Sequence, residues 1–570
     1  MGVTTIPLRS SARLTCAVAV GCVLGTRVAV AFPATDASNP SIVSTTPEPT
    51  ESDLRHQLQL QSGFGAGAAG ATGWTFVPRI SAQEMYTDNV LNSSTDRRWD
   101  MVTFLTPGIA LVGDVPNAQV RLDYAPQFRV DARTPSQNDI TQQLLGTGNF
   151  TILPDELFLD ARAVAGATPT APGFGALGTG ITQQLNTSNG NIGTLGLSKE
   201  NQTQVNSVSI SPYLLHRFGD TGTAKVGYEF NQSSFSNGGS DFPLFFQTGG
   251  SSQHIMTNQG VAQFETGERF APYRDLIVAN ISQSNGTGVN QDSSQNTLVN
   301  QLGYQINRDV GVFAELGYES LRFGGLPPTR IDDMVWAFGT TVTPNPDSEI
   351  TISYGHKNGF NAISFNGSYA VTARTRISAR YDTGLQSDLQ NIQNQLDLAA
   401  LDTNGNAVDA QTGAPLFIGG GGLGVQNGLF RTKAFTLSAN TVLDRDQFSL
   451  SLQISEQTTV ALAPSSLVAS NPFAIPPPPV GQSSNAKTAS LSWAHAFSEA
   501  LSMVCSASYS TAQQSSTGTL NSIGANVSLQ YAINETWVTN VRYAYFDRVS
   551  ATPGQSIYQN LIIVGISKQF

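Results

Sequence analysis

The sequence predicts an all-β protein: a transmembrane, antiparallel, up-and-down β-barrel of about 18 to 22 strands, with short periplasmic turns and long extracellular loops. Three observations predict this class. Charged residues make up only 12% of the 570 residues, against about 25% in ordinary soluble proteins. Apolar and polar residues alternate with period two over many segments. Short polar turns and long connections also alternate along the chain.

The alternating segments are long enough to cross a bilayer, for which about 9 to 11 tilted residues suffice. Residues 117–132, "NAQVRLDYAPQFRVDA", place Leu122 and Tyr124 on one face and Arg121 and Asp123 on the other. The stretches "DQFSLSLQIS" and "SIGANVSLQYAI" repeat this pattern. A soluble β-sandwich or solenoid also alternates. Its solvent face would carry more Lys and Glu, so the pattern favours a barrel.

The connections between segments predict the topology. Short polar turns such as "VGDVPN", "INRD" and "INET" each join two alternating segments. Longer connections lie between these pairs, at 168–203, 235–256, 385–428 and 459–485. Counting pairs gives about 22 strands, with 18 or 20 as alternatives, and an even number places both chain ends on the periplasmic side. The sequence leaves open whether 385–428 folds inward to constrict the lumen.

The last strand, "IYQNLIIVGISKQF", is apolar and ends on an aromatic residue. It predicts a C-terminal signal that barrel-assembly machinery reads, formed by Tyr558, Ile562, Val564, Ile566 and Phe570. Lys568 stands where an aromatic or aliphatic residue is usual, and its long side chain can reach the membrane interface. The expected partners are therefore the assembly machinery, outer-membrane lipid and lipopolysaccharide.

The N-terminal region predicts export. Basic residues precede a short apolar run that ends in small residues, which is typical of a signal peptide over residues 1–31, cleaved after Ala31. Residues 32–73 are rich in Pro, Ser, Thr and Gly and predict a disordered periplasmic leader. The barrel would then occupy residues 74–570. The expected location is the bacterial outer membrane.

Composition and motifs argue against several other functions. A net charge of −11 is unsuited to nucleic acid, and the five His residues are too scattered to predict a metal site. Residues 402–409 resemble a calcium loop but lack its Gly and Glu, and "GGGGLG" (419–424) predicts a flexible outside loop. His356 and Ser353 have opposite strand parity, which disfavours a hydrolytic pair. We therefore expect no enzyme activity, catalytic residue, metal or cofactor.

The lumen is the remaining place for function. Strand parity predicts a set of inward charges: Arg121, Asp123, Arg129, Lys225, Glu229, Glu315, Glu319, Arg376, Arg380, Asp382 and Arg542. Charges inside a channel set its ion preference, and mixed signs predict modest selectivity. The alternative is that many of them pair with one another and stiffen a large barrel.

Several stretches between about 78 and 458 resemble the β-barrel porins associated with exopolysaccharide and exosortase (PEP-CTERM) systems of Gram-negative bacteria. They include "PRISAQEMYTDNV", "LPDELFLDARA", "SISPYLLHRFG" and "MVWAFGTTVTPNPDSEITISYGHKNG". The resemblance implies an outer-membrane barrel, acting as a passive diffusion channel or in exopolysaccharide export, with polysaccharide or small solutes as cargo. The alternative is a structural or adhesive surface protein that acts through its extracellular loops. A TonB-dependent receptor would need a folded plug, and residues 32–73 are too short for one.

Overall fold

The chain forms a closed antiparallel β-barrel of 22 strand positions, which confirms the predicted fold class and the strand number of about 22. The computed structural model describes residues 73–177, 194–236, 253–401, 407–409, 422–463, 478–514 and 518–570. The first described strand pairs with both the second and the last strand and so closes the wall. The predicted signal peptide and nearly all of the predicted leader lie outside the described residues.

The strands are β1 (Gly73–Thr87), β2 (Asp100–Val115), β3 (Ala118–Tyr124), β4 (Gln127–Asp131), β5 (Asp139–Thr141), β6 (Leu144–Leu153), β7 (Leu157–Pro169), β8 (Gln202–Arg217), β9 (Gly222–Ser236), β10 (Gln253–Thr266), β11 (Tyr273–Gly286), β12 (Ser293–Asn307), β13 (Val310–Phe323), β14 (Thr329–Asn345), β15 (Ser348–Lys357), β16 (Phe360–Thr372), β17 (Thr375–Gln386), β18 (Ala399–Leu401), β19 (Ala407–Asp409), β20 (Gly428–Val442), β21 (Asp446–Leu462), β22 (Ser483–Ala496), β23 (Leu501–Gln514), β24 (Gly518–Ala532), β25 (Trp537–Ser550) and β26 (Ile557–Gln569). The pair β3 and β4, and the pair β5 and β6, each occupy one wall position. β18 and β19 form a separate hairpin.

The described residues also include one α-helix, α1 (Asp388–Leu398), which follows β17. Short 3-10 turns lie at Pro135–Gln137, Gly175–Leu177, Lys199–Asn201, Glu268–Phe270 and Gly288–Asn290. Among the described helices, none has the length and apolar character needed to span a membrane.

The two faces of the wall differ as the alternation predicts. Large apolar side chains such as Phe338 and Leu298 are more than half exposed on the outer face, where a barrel meets lipid. In β26, Tyr558, Ile562 and Val564 point outward, whereas Leu561 and Ile563 are buried inside. These two inner residues are apolar because they pack against apolar partners in the lumen. Their apolar character obscured the alternation of apolar and polar residues in the sequence.

Both chain ends of the barrel and the shortest turns lie at one rim, taken as periplasmic. Aromatic residues gather there, as at a membrane interface. Trp493 stacks on Phe448 with ring centroids 6.4 Å apart. The Lys568 ammonium lies 4.3 Å from the centre of the Phe570 ring and 5.3 Å from that of Trp537. Lys568 is therefore accommodated at the interface beside aromatic rings.

Candidate functional site in the lumen

α1 begins at a capping box. Ser387 Oγ accepts a hydrogen bond from the Gln390 amide at 3.3 Å, and Gln390 Oε1 accepts one from the Ser387 amide at 3.1 Å. This reciprocal pair satisfies donors that a helix start leaves free. Leu389, Ile392 and Leu396 then recur at the helical period and are fully buried. The helix therefore has one apolar face.

That apolar face packs against the inner wall of the barrel. Its neighbours are Leu145, Val164, Val205, Phe235 and Ile255. Polar contacts fix the helix on the same wall. The Arg162 guanidinium donates to the Leu396 carbonyl at 3.1 Å, and Thr257 Oγ1 donates to Gln393 Oε1 at 3.1 Å. The C-terminal part of α1 is therefore held by β7 to β10.

The N-terminal end of α1 contacts a different part of the wall. The Asp388 carboxylate accepts from the Gln426 amide at 2.8 Å and from Gln457 Nε2, on β21, at 3.4 Å. β21 and β7 to β9 lie far apart in the strand order. With 11 residues, α1 is roughly 16 Å long, so it runs across the lumen between these two regions.

A second segment, 170–177, folds inward from β7. Phe174 stacks on Phe546 with ring centroids 5.7 Å apart, and the Arg548 guanidinium lies 4.5 Å from the centre of the Phe174 ring. Ser508 donates to the Ala176 carbonyl. Phe174 and Phe546 are both fully buried. This segment is thus packed against β22 to β25 rather than extended away from the barrel.

The segment 194–201 folds inward beside the point where the barrel closes. Gln559 on β26 donates to the Gly196 carbonyl at 2.9 Å. Arg129 donates to the Leu197 carbonyl at 2.6 Å and binds Asp131 through two nitrogens at 2.8 and 3.0 Å. The predicted lumen charge Arg129 is therefore paired, and it holds an inward segment.

The inward segments also bind one another. The Gly173 amide donates to the Gly422 carbonyl, and the Val425 amide donates to the Thr170 carbonyl, both at 3.2 Å. Ser387 Oγ donates to Asn290 Oδ1 at 2.9 Å. We call this connected set the luminal plug, formed by residues 170–177, 194–201, 288–290, 387–398 and 422–427.

The plug resolves two sequence expectations. Within the connection 385–428, the described residues 387–398 and 422–427 lie inside the lumen.

The prediction of a flexible outside loop at 419–424 is wrong for its described part. Leu423 is buried, and Gly424 has φ +74° with its Cα so close to the Thr170 carbonyl oxygen that a Cβ would overlap it. The glycines permit tight packing here. The predicted polar loop at 402–409 lies mostly outside the described residues.

The strand register places the predicted lumen charges on the inner face of the wall, but many of them have partners. Asp123 forms an ion pair with Arg79, and Arg380 Nε lies 3.2 Å from Asp382 Oδ1. Arg376 donates to Ser368 Oγ at 2.8 Å. These contacts agree with the alternative that inward charges pair and stiffen the barrel.

Other predicted charges lie elsewhere on the inner wall. Glu315 is in register with Gln301, while Glu319 and Arg542 are almost fully buried. Arg121 is in register with Thr147. Glu315, Glu319 and Asp382 all lie close enough to Lys357 of β15 to interact with its charge, so these three predicted charges lie around one lysine.

A further charge cluster lies where the C-terminal end of α1 meets the wall. The Asp397 carboxyl is in hydrogen-bond contact with Glu229 and Ser209, and Arg162 lies nearby. Burial, followed by the charge of Glu229, raises the pKa of Asp397 well above its usual range. Glu229 also accepts from Ser209 Oγ at 3.0 Å and is buried.

Sequence reasoning found Glu229 and Lys225 but missed Asp160, Arg162 and Asp397. Asp160 and Arg162 share the inward parity of β7, so alternation alone could have found them. Asp397 could have been found only by predicting α1 as a helix, and the available signal was the capping-box motif at the start of that helix. The helix signal was hidden within a long connection between strands.

Asp388, at the other end of α1, is half-buried and enclosed by the surrounding protein. This burial raises its pKa to about 6, although hydrogen bonds from Gln426 and Gln457 partly oppose the shift. Both ends of α1 therefore carry carboxyl groups that hold protons more tightly than they would in water.

Hydroxyl and amide groups line much of the remaining inner face. Ser451 pairs with Ser490 across two strands through a 2.6 Å contact, and both side chains are partly exposed. Ser207 with Ser233 and Gln259 with Asn280 form similar pairs at 2.6 Å but are buried. These pairs are uncharged. The wall therefore offers donors and acceptors to a polar solute without a strong field.

A closed barrel with an apolar outer face and a polar, partly plugged lumen defines a protein of the outer-membrane β-barrel class. Residues 449–570 match the family model described as "Putative beta-barrel porin 2". This match confirms the resemblance to a β-barrel porin family over the last strands. The resembling stretches before residue 449 lie outside the matched range. No curated protein matches the chain significantly.

Solved structures of other barrels are similar in outline. The siderophore receptor PirA from Acinetobacter baumannii is 9% identical, with 89% of this chain and 83% of that chain covered and a TM-score of 0.45. The FrpB iron transporter from Neisseria meningitidis (F5-1 variant) is 9% identical, with 90% and 84% covered and a TM-score of 0.43. OccK5 from Pseudomonas aeruginosa is 9% identical, with 87% and 98% covered and a TM-score of 0.30. Similarity at this level says nothing about what this chain binds.

Proposed function

We propose that this protein is an outer-membrane channel for uncharged polar solutes of the saccharide class, closed toward the extracellular side by its luminal plug. The observation that carries the proposal is the uncharged hydroxyl and amide lining of the inner wall. A sugar hydroxyl both donates and accepts hydrogen bonds, and Ser, Asn and Gln side chains do the same.

The pairing of luminal charges supports this solute class. Arg79 with Asp123, and Arg129 with Asp131, neutralise each other within the wall. Paired charges produce a weaker field in the lumen than isolated charges of one sign. A neutral solute is therefore favoured over a strongly charged one.

The plug supports a channel that opens rather than a permanently open pore. Its segments contact β7 to β10, β20 to β26 and one another, so a large solute must displace part of it. Exopolysaccharide export is the form of this function that the sequence resemblance implies, with the sugar chain moving outward. An adhesive role through the extracellular loops stays a prediction, because several of these loops lie partly outside the described residues.

The test is solute flux through a variant that lacks α1. Residues 388–398 would be replaced by a Gly-Ser linker of equal length, and the purified protein would be reconstituted in liposomes. We expect swelling rates with neutral sugars to exceed those of the unmodified protein and to fall as sugar size rises. A sugar acid and an amino sugar of matched size should differ only modestly, because the luminal charges are mixed.

The matched control replaces residues 551–554, in an exposed turn between β25 and β26, by Gly-Ser. Liposomes that contain this control should swell at the same rate as liposomes that contain the unmodified protein. Folding of each variant is checked by heat-modifiable gel mobility. If the folded α1-replaced variant passes no sugar of any size, the channel proposal is wrong.

A further inference from the structure

Two carboxyl groups meet where α1 is held on the barrel wall. Asp397, in the last turn of α1, contacts Glu229 of β9, and both contact Ser209 of β8. Asn231 Nδ2 also donates to Glu229 Oε1 at 3.3 Å. Two carboxyl groups in hydrogen-bond contact must share a proton, because two carboxylates would place oxygen acceptors of like charge against each other.

Four wall strands, β7 to β10, pack on α1, and two of them contribute charges near this pair. β7 contributes Asp160 and Arg162, and β9 contributes Lys225 together with Glu229. The groups of β8 and β10 near the helix, Ser209 and Thr257, are uncharged. His254 of β10 has the parity of the outer face.

The sum of these charges requires one proton for neutrality. Ionised Asp160, Glu229 and Asp397 outnumber the two cations, Arg162 and Lys225, by one. A proton on the carboxyl pair balances the cluster. Loss of that proton leaves an uncompensated negative charge in a buried site, which is strongly unfavourable.

The helix adds to this effect. Asp397 lies at the C-terminal end of α1, where the backbone carbonyls give the helix dipole its negative pole. Arg162 already donates to one of those carbonyls, that of Leu396. An ionised Asp397 would therefore repel both Glu229 and the helix end, and burial beside Glu229 raises its pKa.

We propose that α1 is a proton-dependent gate: the shared proton between Asp397 and Glu229 keeps α1 docked across the lumen, and its loss releases the helix and opens the channel. This inference rests on the proposed channel function. The docked state of α1 holds one more proton than the released state. Docking is therefore favoured at low pH and loses stability as pH rises. The channel is therefore more closed in acid and more open at alkaline pH.

The test measures single-channel currents of the full chain in planar bilayers at pH 5 and pH 8. The readout is the ratio of open to closed dwell time. For the unmodified protein we expect this ratio to rise by about tenfold or more between the two pH values, since each pKa unit of coupling is worth a factor of ten.

Two conservative variants should remove the carboxyl repulsion. In Asp397→Asn and in Glu229→Gln, the amide nitrogen donates to the remaining carboxylate, so α1 stays docked when that carboxylate is ionised. At pH 8 we expect their dwell ratios to be at least about tenfold below that of the unmodified protein. At pH 5 all three should agree. Glu499→Gln, in an exposed periplasmic turn, is the control and should behave like the unmodified protein.

A cross-link tests the helix itself. In a cysteine-free background, Thr257→Cys and Gln393→Cys, whose side chains are in contact, would be joined by a bismaleimide. The cross-linked channel should stay closed at pH 8, and each single-cysteine variant should open.

The outcomes separate the gate from the channel. If the unmodified protein conducts equally at both pH values, or if Asp397→Asn and Glu229→Gln conduct more than it at pH 8, the gate is wrong while the channel stands. If the folded variant with α1 replaced conducts at neither pH, the proposed channel function is wrong and the gate with it.

Discussion

Asp388 allows the energetics of α1 docking to be worked out from one side chain. It is half-buried at the helix start, and desolvation raises its pKa to about 6, from a usual value of 3.8. The difference of about 2 units corresponds to about 3 kcal/mol. A raised carboxyl pKa means that docking favours the protonated form. This contribution is fully present below about pH 4, declines as pH rises toward 6, and is lost above that.

Replacing Asp388 by Asn keeps an oxygen that can accept from the Gln426 amide and removes the buried charge. We expect Asp388→Asn to shift the equilibrium toward docked α1 by up to about 100-fold at pH 7.5. At pH 4 the variant and the unmodified protein should agree, because the carboxyl is then neutral.

The assay is again the ratio of open to closed dwell times in planar bilayers, measured from pH 4 to 7.5. A spin label on Gln395→Cys provides a readout that does not depend on conduction, because its mobility reports whether α1 is docked. Equal behaviour of Asp388→Asn and the unmodified protein at pH 7.5 would refute the reasoning, as would a more mobile label in the variant.

Three further changes test how the plug is held. Phe174→Ala removes a fully buried ring stacked on Phe546 and should weaken docking of the segment 170–177 by about 3 to 5 kcal/mol. The readout is protease cleavage within that segment. The control, Phe338→Ala on the outer face, should leave this cleavage unchanged. Gly524→Leu would push a side chain into the Ala176 carbonyl and should expose the same segment, while Gly260→Leu meets open space and serves as its control. Arg129→Met leaves Asp131 buried without its ion pair and should cost about 3 to 5 kcal/mol, measured as a lower temperature for the loss of heat-modifiable mobility. Arg98→Met breaks an exposed pair with Asp96 and should change that temperature little.

The wall could be predicted from sequence because its pattern is local. In β26, the outward residues Tyr558, Ile562 and Val564 are spaced by multiples of two and face one apolar solvent. Turn residues then set the strand pairs one after another. The strand number and the inward parity of the luminal charges follow from information held within a few neighbouring residues.

The plug could not be predicted in the same way because its contacts join distant parts of the chain. Phe174 packs on Phe546, and Arg548 donates to the Pro172 carbonyl. No local pattern links these positions. The partners of individual charges could not be predicted for the same reason, since parity says which face Glu229 occupies but not that Asp397 will lie beside it.

The hydrogen bonds between separate plug segments affect how an opening would proceed. Because Gly173 binds Gly422 and Thr170 binds Val425, the connection after β7 and the connection before β20 cannot part from the wall independently without breaking these bonds. Each of these connections is covalently joined to a wall strand at both of its ends, so it can be displaced but not released. Displacement must swing these loops outward as a joined unit, which favours a cooperative, all-or-none transition over a series of partial conductance levels.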